Sequence, residues 1–562
     1  MNAKLGRWPL LLTMVLAVLL SILLLFLVTA PRTEAQNQDN SQEDANTALA
    51  KLEVLDDPGE GTPGPLSAAQ KKAVFEQGYL VPDQSAYDQA KNEAAAKAEQ
   101  PSSEKSSLSV GTQAPQTTSG SEGVFSTCCG PSDSTGAVGT SRYIELVNVN
   151  FGIYDTTDLG TPLNTGSLND LVPGDTSSHS IFDPQIIWDP DTQRFFYVVD
   201  DVVSATENRL AFGFSKTDSP SSAADFCKYS ISFESRFLDY PKLGDTQDLL
   251  LIGANAFDTN DSFLGADLNS ITKPPAGSNC PDKSTFTTST TQNLKTGDGT
   301  TRAFTPVPAN QIDTNGTGYV VARPVSLPAT KLSIYQVTKN ANGTANVSAA
   351  HDLTVPSYTV PANAAQKDTK KSLDTSDARN TQAVSAIDPS QLPSGALALW
   401  TQHTVFGGKG AEVRWYEINP DVGAGVPLLL QSGTVTDPSK YIFNGAISPD
   451  RKVDGSTTAF GDSMVLGFNS SAKDKFPDIR MVSKTGTGAQ SSPVLVKKSN
   501  HSLNDFTCSP QPCRWGDYAA ATPDPSASAT GTNGRVWLTS QYVRTGKGSG
   551  ARWGSFNWVA TL

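Results

Sequence analysis

Paired carboxylates set among arginines and tyrosines can grip a sugar or an acidic ligand, and at a separation of about 5 to 9 Å they can do acid/base work on a glycosidic bond. This chain of 562 residues carries such residue types at recurring positions. Asp133, Asp183, Lys242, Arg379, Asn444, Arg514 and Asp517 stand at the starts of successive strand-rich units, with Tyr240 and Tyr518 beside them. All nine are candidate ligand-binding residues. The structural alternative is that they pair with one another as Arg–Asp bridges closing neighbouring units. No cofactor or metal is assigned; calcium is the one ion that carboxylates with backbone carbonyls would suit, and the chain has no EF-hand or repeat-type calcium loop.

Nucleophilic chemistry is poorly served. The four histidines are His179, His351, His403 and His501, and no G-x-S-x-G elbow stands in hydrolase order with an acidic residue and a histidine. Histidines in polar loops read as solvated surface groups, whereas His403, near Trp400 in a strand, reads as a core-edge residue. The six cysteines are Cys128, Cys129, Cys227, Cys280, Cys508 and Cys513, an even count that suits an oxidising compartment. Cys508 and Cys513 enclose only SPQP and are expected to bond. Cys227 and Cys280 fall in comparable outer regions of adjacent units and can pair. Cys128 and Cys129 can close a ring with each other, bond elsewhere or stay free.

The elements that must position these side chains are short strands. Seven copies of one unit can be written, beginning at Gly136, Pro184, Tyr240, Thr305, Gln382, Gly445 and Tyr518. Each runs from an apolar strand through an aspartate-bearing loop to a second strand, a hairpin and a third strand. The loop aspartates fall at Asp189, Asp245, Asp313, Asp388, Asp450 and Asp524, a blade-sized period once extra loops are allowed. Alternation in Phe195-Tyr197-Val199, Leu210-Phe212-Phe214 and Val536-Leu538-Ser540 supports strands. The fold class is therefore all-β: a single β-propeller over residues 124–562, with seven blades preferred, six as the alternative and a β-sandwich pair as the competing architecture. The C-terminal RWGSFNWVATL would supply the closing strand beside the first unit.

PSDSTGAVGTSRYIELVN, YPKLGDTQDLLLIGANAF, EVRWYEI and RWGDY resemble a family of exported bacterial β-propeller proteins related to the sialidase-like propellers, over roughly Cys129 to the C-terminus. The resemblance implies the fold and little about chemistry. The sialidase Asp-box has no intact copy: SPDRKVDGSTTAF, from Ser448 to Phe460, departs in spacing and ends in Phe.

Upstream, Lys4 and Arg7 precede an uncharged apolar stretch from Trp8 to Pro31, long enough to span a bilayer. Residues 1–35 thus read as a signal peptide cleaved before Gln36 or as an uncleaved anchor that would give the protein a membrane contact; both place the bulk outside the cell. Residues 36–123 are polar and poor in aromatics and read as a disordered or partly helical stalk and linker. Two helical pieces are expected there, Ser67 to Gln77 and Asp83 to Glu99, the second an Ala-rich spacer with docking as the lesser alternative; 102–123 reads as flexible linker. The net charge of −13, with only 18% charged residues, excludes an electrostatic grip on nucleic acid. The expected function is recognition of a glycan or protein by the propeller face. A glycoside hydrolase or lyase and a structural envelope protein are the alternatives.

Overall fold

The computed structural model describes residues 80–100 and 114–562 apart from 205, 392–394, 422–426, 527–533 and 546–549, together with the backbone of the strand Lys51–Glu53. The apolar N-terminal run and the expected helix at Ser67 to Gln77 lie outside the described residues. No helix among those described is long and apolar enough to cross a membrane.

Seven sheets, antiparallel apart from one short parallel pairing, form a propeller among the described residues. Their inner strands are Thr135–Val138, Ser180–Asp189, Phe237–Asp245, Ala303–Pro308, Asn380–Asp388, Tyr441–Pro449 and Ala520–Pro523, which define blades 1 to 7. These strands touch in ring order, and the first meets the seventh. The seven units read from the sequence are these seven blades.

Blade stacking explains why the strands are apolar on both faces. In the second strand of blade 2, Phe195, Tyr197 and Val199 pack with Ile144 and Ile153 of blade 1, while Phe196 and Val198 pack with Leu250 and Ile252 of blade 3. Alternate side chains thus feed two different inter-blade cores, each buried aliphatic or aromatic group contributing roughly 1.5–3 kcal/mol. His403 is fully buried, with Nε2 2.9 Å from the Tyr416 hydroxyl and Nδ1 3.1 Å from the Ala378 carbonyl. Burial pulls its pKa down to about 3, so the ring is a neutral core group. His179, in contrast to the solvated reading, is buried with Nδ1 2.8 Å from Asp201.

Ring closure differs from expectation. The C-terminal strand Trp553–Thr561 is the third strand of blade 7, and its outer neighbour is Gln116–Glu122, antiparallel to it and lying inside the stretch read as linker. The chain therefore enters blade 1 only after supplying the last strand of blade 7. Glu145 of blade 1 locks this junction: its carboxyl accepts from Val124 N (3.0 Å), Asn557 Nδ2 (2.8 Å), the Tyr154 hydroxyl (3.2 Å) and the Thr539 hydroxyl (3.3 Å).

The helix expected from Asp83 to Glu99 is present as Gln84–Ala98, with the Asp83 side chain accepting from Ala86 N at its start. It is more than a spacer. Ala94 and Ala98 pack with Ala362, Leu373, Phe443 and Trp515, and Lys91 is buried. All six cysteines are bonded, as Cys128–Cys129, Cys227–Cys280 and Cys508–Cys513. The first pair, which the sequence left open, closes on itself; the third braces the chain just before Arg514.

Candidate functional site at the channel mouth

The inner strands begin with a repeated irregularity. Asp183, Tyr240, Thr305 and Asn444 have φ of 51°, 60°, 52° and 52°, and the pairing of each inner strand with its neighbour slips at that point. Asp133, ahead of blade 1, has φ 40°. Positive φ in non-glycine residues costs of order 1–3 kcal/mol each and gathers at functional sites. Here the kinks sit at the strand starts around one end of the central channel.

Eight of the nine sequence candidates are joined there, within one network of contacts. Asp517 N donates to Asp133 Oδ1 (2.6 Å), and Asn148 Nδ2 donates to Asp133 Oδ2 (2.6 Å). The same Asn148 accepts from Asp183 N (2.9 Å). The Tyr240 hydroxyl donates to the Asp517 carbonyl (3.1 Å), and Arg514 Nη2 lies 2.8 Å from Asp517 Oδ2. The Arg379 guanidinium stacks 4.5 Å from the Tyr240 ring centre and is held by Asp377 at 2.9 Å. Lys242 Nζ sits 3.9 Å from the Tyr240 ring centre and 3.3 Å from that of Tyr518, the two rings meeting edge to face. Asn444 stands one layer back: its Nδ2 donates to Asn469 Oδ1 (2.9 Å), which also receives Trp515 Nε1 (3.0 Å).

The electrostatics follow from burial. Asp133 and Asp517 are pushed up to about 7, first by loss of water, with Arg514 pulling both back. Asp183 and Asp239 are raised in the same sense by burial, and the Asp517 carboxylate adds to both. Burial drives Lys242 well below the usual lysine range, against the pull of Asp183 and Asp133. Asp200, 2% exposed, is raised well above the carboxylate range by burial and by the charges of Asp183 and Asp239. Neither of its oxygens accepts a hydrogen bond among the described residues, and Lys242 Nζ donates none. Just below, a cavity of about 30 Å³ is lined by Thr135, Gln185, Lys242, Asn310, Gln382 and Thr522 from the inner walls. Among the described residues no three or more His, Cys, Asp or Glu side chains are grouped to hold a metal ion.

Asp239, Asp377, Asn148 and Asp200 were missed by the sequence reading. Asp239 and Asp377 had a signal, standing one and two residues from the chosen Tyr240 and Arg379. Asp200 had another, as one of two adjacent aspartates in the apolar strand RFFYVVDDVVS.

The loop aspartates at the other end of the inner strands are structural. Lys273 bridges Asp189 (2.9 Å) of blade 2 and Asp245 (2.7 Å) of blade 3. Arg451 of blade 6 clasps Asp313 at 2.8 Å, and Asp450 accepts from Gly461 N and from Gly534 N of the loop in blade 7. Bridging between blades thus occurs at the opposite rim, and at the mouth Arg323 of blade 4 likewise meets Asp377, ahead of blade 5, at 3.1 Å. At the opposite rim Asn310–Gln311 pairs in parallel with blade 5 and touches the inner strands of blades 2 and 3, crossing the channel.

No protein family and no curated protein matches this chain in sequence. Among solved structures it is similar to a mutant of Synechocystis apocarotenoid oxygenase, with 11% identity over 65% of this chain and 74% of that one and a TM-score of 0.33. It is also similar to the β-propeller domain of Vanderwaltozyma polyspora Nup133, with 6% identity, coverage of 75% and 91%, and a TM-score of 0.34. A neuraminidase-like protein of A/flat-faced bat/Peru aligns with 9% identity over 84% of this chain and 100% of its own, at a TM-score of 0.29. The sialidase-like resemblance has no counterpart among family models or curated proteins. At such scores the likeness carries no argument about function.

Proposed function

We propose that the propeller is a recognition module whose ligand site is the channel mouth, and that its ligand is a small polyhydroxylated molecule of the sugar class. The observation that carries this reading is that Lys242 and Asp200, 1% and 2% exposed, hold polar atoms that make no hydrogen bond among the described residues. A buried polar atom left in that condition costs about 1–3 kcal/mol. Ligand hydroxyls, which both donate and accept, would suit either kind of group. Carboxyls poised near 7, such as Asp133 and Asp517, likewise present both an O–H and an acceptor oxygen near neutral pH. A protein partner, the other ligand class considered, suits side chains this deep less well. Three disulfides are compatible with an extracellular location, which supports placing the propeller outside the cell.

Glycoside hydrolysis is the second reading, favoured by one observation: a general acid must keep its proton near neutral pH, and Asp133 and Asp517 meet that need. The test is a glycan array and a panel of chromogenic glycosides, run with the wild-type chain and with Asp183→Asn and Asp517→Asn. Binding weakened by both substitutions supports recognition. Turnover abolished by either one replaces recognition with hydrolysis. Unchanged binding in both variants, with altered thermal stability, makes the cluster purely structural.

A further inference from the structure

The mouth of the channel is not open. Asp133, Tyr240, Lys242, Arg379 and Tyr518 are each 1% exposed, although strand starts at a propeller face ordinarily meet water. Two layers cover them. Loops 359–379 and 499–517, leading into blades 5 and 7, are joined where Cys513 N donates to the Ser372 carbonyl (2.8 Å) and Asp374 N to the Cys513 carbonyl (2.9 Å). Over them lies the helix Gln84–Ala98.

That helix is seated by specific contacts with site residues and their neighbours. Arg379 Nη2, whose guanidinium also stacks on Tyr240, donates to the Leu80 carbonyl at 3.2 Å. Lys91 Nζ donates to the Ser376 carbonyl (2.7 Å) and the Thr375 hydroxyl (3.1 Å) and lies 3.6 Å from Asp374. Lys409 Nζ donates to the Ala98 carbonyl (2.7 Å). Gly410 makes the seat: at φ +148°, a Cβ there would lie 2.9 Å from Ala98 Cβ. Tyr87 faces the same rim, with Asp374 and Asp377 raising its hydroxyl further above a pKa already lifted by burial. The far end of the channel is crossed by Asn310–Gln311.

We propose that residues 80–98 are an intramolecular cap on the channel mouth, and that a ligand reaches the carboxylate cluster only after this segment leaves its seat. The ligand half of that statement rests on the recognition reading above; the cap itself does not. It is held by polar contacts and by the buried Val81, Ala94 and Ala98 rather than by strand pairing, so it can leave without unpairing a blade. Anything that competes for Arg379 or for Asp374 acts on it directly.

The test uses water-soluble carbodiimide with an amine nucleophile, which tags accessible carboxyls, read residue by residue by mass spectrometry. The probe needs no ligand. In the full wild-type chain Asp133, Asp183 and Asp517 are expected to react at least tenfold more slowly than Asp474, whose side chain is 76% exposed. Lys91→Glu, which sets a carboxylate against Asp374, and Ala98→Arg, which cannot fit over Gly410, should raise channel labelling about tenfold and leave Asp474 unchanged. Hydrogen exchange at residues 84–98 reports whether the helix has left. A third variant, with a protease site inserted after Ser106 and cut only after folding, gives the same reading if a substitution impairs folding. Fast labelling in the wild type, or channel carboxyls that stay slow once the helix exchanges freely, overturns the cap. Uncapped protein that labels fast yet binds no glycan leaves the cap standing and removes the recognition reading.

Discussion

Replacing Asp200 with asparagine should stabilise the protein, and more so as pH rises. Asp200 lies in Arg194–Ser204, 2% exposed, with no hydrogen bond to either oxygen and with Asp183, Asp239 and Asp201 nearby. Burial and those like charges raise its folded pKa well above the ordinary value, so the folded protein keeps a proton that the unfolded chain releases near pH 4. A raised carboxylate pKa means that the folded state binds more protons, and stability falls as pH climbs through the window between the two pKa values. One such group loses at most about 1.36 kcal/mol per pH unit, hence at most about 2.7 kcal/mol between pH 4.5 and 6.5. Asparagine keeps the shape and removes the titration, so the stability difference between variant and wild type should widen steadily with pH, by at most about 2.7 kcal/mol over that interval, other carboxyls cancelling in the comparison. Equilibrium urea unfolding at pH 4.5, 5.5 and 6.5, with disulfides intact, measures it. Parallel pH profiles for the two proteins, or a variant that is less stable at pH 6.5, would refute the claim that Asp200 is a buried neutral acid.

Three further outcomes follow from named contacts. Glu145→Ala should cost about 3–5 kcal/mol by urea unfolding, because four donors drawn from blade 1, blade 7 and the Val124 backbone lose one acceptor. Lys273→Ala leaves Asp189 and Asp245 facing each other without their cation and should destabilise by a similar ~3–5 kcal/mol. Part of that loss should return in acid, where Asp245, already raised to about 6 by burial, takes up a proton, and the pH dependence of the melting temperature will show it. Peptide mapping without reduction should recover Cys508–Cys513 and Cys227–Cys280, and a free thiol at any of these four positions would contradict the disulfide pattern.

Residues 36–123 read from the sequence as a stalk and linker, and a segment that only spaces would leave the stability of the propeller untouched. Its docked helix and the strand Gln116–Glu122 reverse that expectation: loss of residues 80–122 should lower the melting temperature, since blade 7 would lose its outer strand and Ala94 and Ala98 their burial.

The blades were legible in the sequence because strand alternation and the loop aspartates, the latter in six of the seven units, are local signals. The residues at the strand starts were legible for the same reason: in a closed ring equivalent positions converge, so Asp133, Asp183, Lys242, Arg379 and Asp517 could be chosen together without knowing any distance. The helix boundaries at Asp83 and Ala98 were also local, set by a capping aspartate and an alanine-rich run. What this helix touches was not. An alanine face says only that it could approach closely; the seat that receives it is made by Gly410, Ala362 and Leu373, some three hundred residues away, and exists only once blades 5 and 6 have folded. The strand Gln116–Glu122 is mostly exposed and held by backbone pairing with Trp553–Thr561, and backbone hydrogen bonds leave no mark on composition. Tertiary structure alone also divided two sets of aspartates that look alike in sequence. Those at one rim meet Lys273, Arg451 and loop amides and serve as bridges; several at the other are buried where desolvation outweighs the nearby cations, which holds them near neutrality. That division depends on how much water each carboxyl loses and which charges close on it, and both are properties of the closed ring.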